Sequence, residues 1–83
     1  MYEVIVGKQV IKQLEKIPLT DYKRIKSALI SLASDPRPQG YLKFKGRDGY
    51  RIRVGKYRVI YEIQDDKLIV LIITIAHRKD VFE

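Results

Sequence analysis

The sequence contains no cysteine and only one histidine among its 83 residues. The absence of cysteine excludes a disulfide-stabilised fold, a thiolate metal site and thiol catalysis. No two carboxylates lie at a spacing typical of metal ligands, and the five glycines are scattered instead of forming a phosphate-binding loop. We therefore expect a protein that uses no metal ion and no cofactor, and whose chemistry depends on basic side chains.

Long apolar runs are also missing. The longest, Leu68 to Ile73, is far shorter than the roughly 20 residues that a membrane-spanning helix needs. The opening Met1-Tyr2-Glu3 lacks the basic and then apolar leader of a secreted protein. We expect one domain over residues 1–83, a cytoplasmic location and no membrane partner.

Acidic residues are scarce in one part of the chain, and this concentrates the net charge of +7. From Arg37 to Arg58 eight residues are basic and only Asp48 is acidic, so this segment carries 8 − 1 = +7 and the rest sums to zero. Such a concentration is typical of a surface that binds a polyanion. The alternative is a solubilising surface, although evenly spread charge would serve solubility equally well.

The first 40 residues carry the pattern of one strand and two helices. Alternating apolar residues predict a short strand that ends at Gly7. A first helix, stopped by Pro18, is predicted from apolar residues that share its core-facing side, Val10, Ile11, Leu14 and Ile17. A second helix is predicted to be capped by Thr20 and Asp21 and to end in the loop after Asp35. Because the link between them is short, the two helices should pack antiparallel.

From Tyr41 onward the spacing of apolar residues changes to two, which predicts four strands joined by turns. Gly55-Lys56 is predicted to form a tight hairpin turn. Residues 68–76 are almost entirely apolar, so we expect the last strand to be central, with both faces covered. The order β-α-α-β-β-β-β predicts an α+β fold. Its sheet should be twisted and mainly antiparallel, with the helical hairpin packed on one face and the other face open.

The predicted hairpin brings Arg51 and Arg53 within cross-strand range of Arg58. Like charges at this distance destabilise a sheet, whereas guanidinium groups bind phosphate in a bidentate manner. The three arginines are therefore candidates for an anion site, against the alternative that they spread into water. Histidine titrates near neutral pH, which makes His77 a candidate for acid–base chemistry. A lone histidine at a strand end is nevertheless more often a packing residue.

Three segments together resemble the RelE/ParE toxin superfamily, namely LKFKG at 42–46, YRIRVGKYRVIY at 50–61 and AHRKDVF at 76–82. The loop Asp35-Pro36-Arg37-Pro38 also fits, so the resemblance covers nearly the whole chain. It implies a RelE-like fold and the toxin of a type II toxin–antitoxin system. In the RelE branch, the toxin enters the ribosomal A site and cleaves mRNA without a metal ion, by attack of a 2′-hydroxyl on its own 3′-phosphate.

The resemblance also implies roles for individual residues. It assigns catalysis to four arginines, Arg51, Arg53, Arg58 and Arg78. Phe82 stands where RelE members often have a tyrosine that stacks on a base and helps to activate the 2′-hydroxyl. Phenylalanine can stack but cannot move a proton, so the general base is left to His77 or to another group. Further RNA contacts are expected from six other basic residues, Arg37, Lys43, Lys45, Arg47, Lys56 and Lys79.

The partners implied for the RelE branch are mRNA and ribosomal RNA in the A site, and an acidic cognate antitoxin in a toxin–antitoxin hetero-oligomer. Two alternatives remain open. The ParE branch shares the fold but inhibits DNA gyrase without nuclease activity, and a catalytically weak RNA-binding module would also carry the basic segment. Basic residues at all four matching positions favour the nuclease, whereas Phe82 weakens that preference.

Overall fold

One strand, two helices and four further strands follow one another in the computed structural model, which describes residues 1–80. They are β1 (Glu3–Val6), α1 (Lys8–Glu15), α2 (Leu19–Ser34), β2 (Leu42–Lys43), β3 (Tyr50–Val54), β4 (Tyr57–Gln64), β5 (Ile69–His77) and the 3₁₀ turn Arg78–Asp80. This order confirms the predicted α+β fold. No helix within these residues is long and apolar enough to cross a membrane.

The five strands form one sheet in the order β1-β5-β4-β3-β2. β1 pairs with β5 in parallel, and the other three pairings are antiparallel, so the sheet is mainly antiparallel as predicted. The β3–β4 register places Val54 opposite Tyr57, which leaves the predicted two-residue turn Gly55-Lys56 between them. Gly55 has a φ of 60°, a left-handed conformation that glycine adopts without steric cost.

Both helices pack on one face of the sheet, and the core lies between them and the strands. Four helical side chains are buried there, Val10, Ile25, Leu29 and Leu32. The strands contribute Tyr50, Ile52, Val59, Tyr61, Val70, Ile72 and Ile75. Because side chains alternate along a strand, these residues leave Arg51, Arg53 and Arg58 on the opposite face.

The predicted cap of the second helix is wrong. α2 begins at Leu19, so Thr20 and Asp21 lie inside its first turn, and no side chain caps the helix. Pro18 occupies the N-cap position instead, and its carbonyl oxygen accepts a hydrogen bond of 2.9 Å from the N–H of Tyr22. Proline fixes φ close to the helical value, which suits the start of a helix, but its ring has no acceptor that could act as a side-chain cap. Asp21 still stabilises the first turn through the helix dipole.

Two predictions about apolar side chains are also wrong. Ile11, expected to face the core, is 48% exposed on α1. On β5, Ile73 is 39% exposed, and Ile5 on the neighbouring β1 is 37% exposed, so the outer face of this strand is not covered. The helices occupy only one face, and the β4–β5 register shifts beside Ile60, where Ile73 has no partner. β5 is still interior, between β1 and β4.

A glutamine side chain completes the edge of β5 where its neighbour stops. β1 ends at Val6, opposite Ile72, while β5 continues to His77. Gln13 of α1 accepts a 2.8 Å hydrogen bond from the N–H of Ile75. The same amide donates a 2.9 Å hydrogen bond to the hydroxyl of Thr74. α1 is thereby anchored to the strand by polar contacts as well as by apolar packing.

We expect Gln13→Leu to lower the free energy of unfolding by about 1–3 kcal/mol, because a half-buried backbone N–H loses its acceptor. The matched control is Gln9→Leu, which makes the same change at an exposed position of the same helix. Urea denaturation of both variants measures the difference. Equal stability of the two variants would show that the Gln13 amide does not stabilise the edge.

Candidate nucleic-acid interface

The open face of the sheet carries a pair of arginines at the β3–β4 hairpin. Arg53 lies directly opposite Arg58 in the register, which confirms the predicted cross-strand pair. Arg53 is exposed and Arg58 is half-buried. Guanidinium groups on adjacent strands can bind one phosphate together, because its oxygens accept several charge-assisted hydrogen bonds.

Arg58 also holds the end of the described chain against the hairpin. Its Nη1 donates a 3.3 Å hydrogen bond to the carbonyl oxygen of Arg78. The backbone N–H of Arg78 donates a 2.8 Å hydrogen bond to the carbonyl oxygen of Lys56. The exposed Arg78 and Lys79 therefore lie next to the hairpin, and the arginine site is defined here as Arg53, Arg58 and Arg78.

Arg51 differs from the other candidate arginines because it is buried. It is 7% exposed and lies between Leu42 of β2 and Ile60 of β4 in the register. A guanidinium with so little accessible surface has little room to contact a ligand. The placement favours a role for Arg51 within the sheet, and direct contact with a ligand stays a prediction.

His77 does not point towards the arginine site. It lies opposite Tyr57 in the register, and the two rings meet edge-on with centroids 5.3 Å apart. Tyr57 packs against the core, on the face that the helices cover. His77 Nδ1 accepts a 3.2 Å hydrogen bond from the N–H of Lys79, which favours the interpretation as a packing residue. Phe82, the residue expected to stack on a base, lies outside the described residues.

The expected RNA-binding residues do not form one surface. Arg37 donates a 3.2 Å hydrogen bond to the hydroxyl of Tyr50, and Lys43 Nζ lies 6.0 Å from the centroid of the same ring. Tyr50 belongs to the core face, so these two cations lie away from the arginine site. Arg47 lies 4.4 Å from the centroid of the Phe44 ring. The other three cations, Lys45, Lys56 and Lys79, are exposed.

Arg37 is the centre of a polar network that the sequence analysis did not predict. Its guanidinium forms an ion pair of 2.9 Å with Asp65, and the hydroxyl of Tyr2 donates a 2.6 Å hydrogen bond to the same carboxylate. The hydrogen bonds from Arg37 and then from Tyr2 lower the pKa of Asp65. Since Asp65 lies in the β4–β5 turn and 63 residues from Tyr2, no local pattern could have indicated this contact.

The loop after α2 is fixed to the sheet by a buried tyrosine as well. The hydroxyl of Tyr61 donates a 2.7 Å hydrogen bond to the carbonyl oxygen of Pro36, and burial raises the pKa of Tyr61 to about 12. Tyr61 stacks on Tyr50 with ring centroids 5.8 Å apart. Arg37 and Tyr61 therefore anchor the same loop from two sides. Within residues 1–80, no cluster of three or more acidic or histidine side chains could hold a metal ion.

We expect the stabilisation from Asp65 to depend on pH. Because the pKa of Asp65 is lower in the folded protein, the network stabilises the fold at neutral pH. This contribution is lost as the pH falls through the lowered pKa. Thermal melts should give Asp65→Asn a lower melting temperature than the parent protein at pH 7, and the difference should shrink as the pH falls through the lowered pKa of Asp65. Asp66→Asn, in the same turn, is the control. A difference that persisted in acid would contradict the ion-pair explanation.

We expect Arg51→Ala to lower the free energy of unfolding by about 1–3 kcal/mol, because it removes a buried side chain. Arg53→Ala makes the same change at an exposed position of the same strand and should cost about 0.5 kcal/mol or less. Urea denaturation compares the two variants. Equal losses would mean that burial of Arg51 contributes nothing to the fold.

Comparison with known proteins identifies the family. The family model for the ParE toxin of type II toxin–antitoxin systems matches residues 4–82. RelE1 of Methanocaldococcus jannaschii, named as a toxin, is 31% identical, over 99% of this chain and 96% of its own length.

Solved structures agree with this result. A chain of the archaeal RelE–RelB complex from Pyrococcus horikoshii matches with a TM-score of 0.86 and 31% identity, over 96% of this chain and 98% of that chain. The isolated RelE toxin of E. coli matches with a TM-score of 0.80 and 25% identity, over 93% of this chain and 84% of that chain. The chain belongs to the RelE/ParE superfamily of type II toxin–antitoxin toxins.

Proposed function

We propose that this RelE-like toxin is a ribosome-dependent endoribonuclease that cleaves mRNA in the ribosomal A site and so inhibits translation. The observation that carries the proposal is the arginine site on the open face of the sheet. Arg53 and Arg58 face each other there, and Arg58 holds the turn that carries Arg78. The similarity to RelE proteins over nearly the whole chain supports the choice of RNA as the anion.

The chemistry that suits this site is transesterification within the substrate. The 2′-hydroxyl loses its proton to water, and its oxygen forms a bond to its own 3′-phosphorus while the bond from phosphorus to the 5′-oxygen of the next nucleotide breaks. The products are a 2′,3′-cyclic phosphate and a 5′-hydroxyl, whose oxygen takes up a proton from water. Negative charge accumulates on the phosphate oxygens in the transition state, and the guanidinium groups would stabilise that charge more than the charge of the ground state.

The proposed dependence on the ribosome is supported by the lack of a general base in the arginine site. Arginine stays protonated and is a poor base, and His77 lies on the other face beside Tyr57. Catalysis by such a site depends on the geometry of the substrate, because the attacking oxygen must lie in line with the leaving oxygen. Holding reactants in this way can contribute several kcal/mol. The ribosome would impose that geometry on the mRNA.

We also propose that an acidic cognate antitoxin neutralises the toxin in a hetero-oligomer. The matched Pyrococcus structure is a complex of RelE with RelB, which supports such a partner. The net charge of +7 favours an acidic protein, since complementary charge accelerates association. Co-expression with the adjacent small gene and pull-down on the toxin test this. Failure of any acidic protein to co-purify and restore growth would count against the antitoxin.

A ParE-like inhibitor of DNA gyrase is the second candidate, because the matching family model is described as a ParE toxin. The two functions differ in which synthesis stops first after induction. The test measures incorporation of labelled amino acid and labelled thymidine, with primer extension on a translated mRNA. Early loss of protein synthesis with cuts in A-site codons supports the nuclease. Early loss of DNA synthesis without cuts would overturn it.

We expect Arg58→Ala to slow single-turnover cleavage of ribosome-bound mRNA by about 10²–10³-fold, because one positioned charge leaves the transition state. Arg58→Lys should restore part of the rate, since it keeps the charge but not the bidentate geometry. Lys67→Ala, at an exposed position in the β4–β5 turn, is the control. Circular dichroism checks that each variant is folded. Full activity of a folded Arg58→Ala protein would exclude Arg58 from the site.

A further inference from the structure

A second basic feature lies at the β3 edge of the sheet. It is a shallow groove of about 560 Å³ between α2 and the β3–β4 hairpin. Seven residues line it, Lys23, Arg24, Ser27, Ala28, Arg53, Val54 and Gly55. Three of these side chains are cations and none is acidic, so the groove has the charge of an anion site. Lys23 and Arg24 lie outside the basic segment 37–58 of the sequence.

The cations are brought together by the path of the backbone. Lys23 and Arg24 are consecutive exposed residues of α2. A Cβ atom placed on Gly55 would lie 3.5 Å from Nη1 of Arg24, so this guanidinium rests against the hairpin turn. Since like charges in one groove repel each other, an anion between them would stabilise the arrangement.

The lining favours a phosphodiester over an acidic peptide. Guanidinium and ammonium groups with a hydroxyl, here from Ser27, are typical ligands of phosphate. A bound peptide normally needs a pocket for a large apolar or aromatic anchor, and the largest apolar side chain in this groove is Val54. Arg53 lines the groove and also lies opposite Arg58, so the groove adjoins the arginine site across β3.

We propose that this groove binds a backbone phosphate of an RNA strand, outside the nucleotide that the arginine site would hold. The inference rests on the proposed function for the choice of RNA, and on the groove alone for the choice of a phosphate. Lys23 and Arg24 are then binding residues that contact the RNA without touching the reacting atoms. They set the length of RNA that the toxin engages.

The test uses the salt dependence of RNA binding. Lys23→Gln with Arg24→Gln removes two charges from the groove, and Lys8→Gln with Lys12→Gln removes two from exposed positions on α1. Fluorescence anisotropy with a labelled single-stranded oligouridine, at several NaCl concentrations and without ribosomes, gives the slope of log Kd against log salt. Each lost phosphate contact changes the slope by about 0.7 for single strands. Because the groove binds one phosphate, we expect the slope of the groove variant to fall by about 0.7 and that of the α1 variant to stay unchanged.

Two outcomes would overturn the proposal. One is a parent-like slope in the groove variant; weaker binding of a polyglutamate peptide at the same time would make the groove a site for acidic protein. The other is an equal loss of slope in the α1 variant, which would reflect net charge alone.

Thermal melts of both double variants check the fold. If the double variant melts early, single variants of Lys23 and Arg24 replace it, and each should reduce the slope by no more than the loss of one phosphate contact, about 0.7. A reduced salt slope in the groove variant, together with early loss of DNA synthesis on induction, would overturn the nuclease proposal. The groove would still be a site for a backbone phosphate.

Discussion

The structure depends on one constraint, that two helices cover only one face of a five-stranded sheet. Along β3 and β4 successive side chains then point alternately to the covered and to the open face of the sheet. The apolar members of YRIRV enter the core, and Arg51 and Arg53 lie on the face that no helix covers. Core and arginine site are thus two sides of the same strands, and a slip of one residue in the register would exchange them.

The edges of this sheet are completed by side chains and helices. β1 has four residues and β2 has two, so both interior neighbours extend beyond them. Gln13 provides an amide in place of a strand at Ile75. At the opposite side β2 pairs only with Tyr50 and Arg51, and the groove beneath α2 lies beside the rest of β3. Short outer strands therefore create both an anchor for α1 and a basic groove, and they limit the free edge available for unwanted strand pairing.

Much of the fold could be predicted because its signals are local. The change from helical to alternating periodicity near Tyr41 and the turn at Gly55-Lys56 depend on neighbours in sequence, and both match the structure. The exposure of Ile73 was missed because the number of helices, and not the strand's own composition, decides which face is covered. The apolar composition of β5 alone suggested that both faces of this strand are covered.

The candidate site was also predictable only where its contacts are local in sequence. The pairing of Arg53 with Arg58 follows from a hairpin. The burial of Arg51 depends on β2, and the contact of Arg37 with Asp65 joins residues 28 apart in sequence. The contribution of Lys23 to the groove depends on how α2 packs against β3. Long-range packing therefore divides the basic residues into structural and exposed groups, which a count of charges cannot do.

This division has a consequence for how such a small domain could act as a nuclease. The groove adds Lys23 and Arg24 of α2 to an arginine site built on the β3–β4 hairpin, and Arg53 belongs to both. A flexible RNA strand must therefore contact the helix and the hairpin at once to gain their combined attraction. Every guanidinium there is permanently charged, which makes the attraction insensitive to pH near neutrality. Such attraction stabilises the ground state and the transition state equally unless the attacking and leaving oxygens of the phosphate are held in line. Under the proposed function, the toxin supplies the charge and the ribosome supplies the alignment, so neither alone cleaves efficiently.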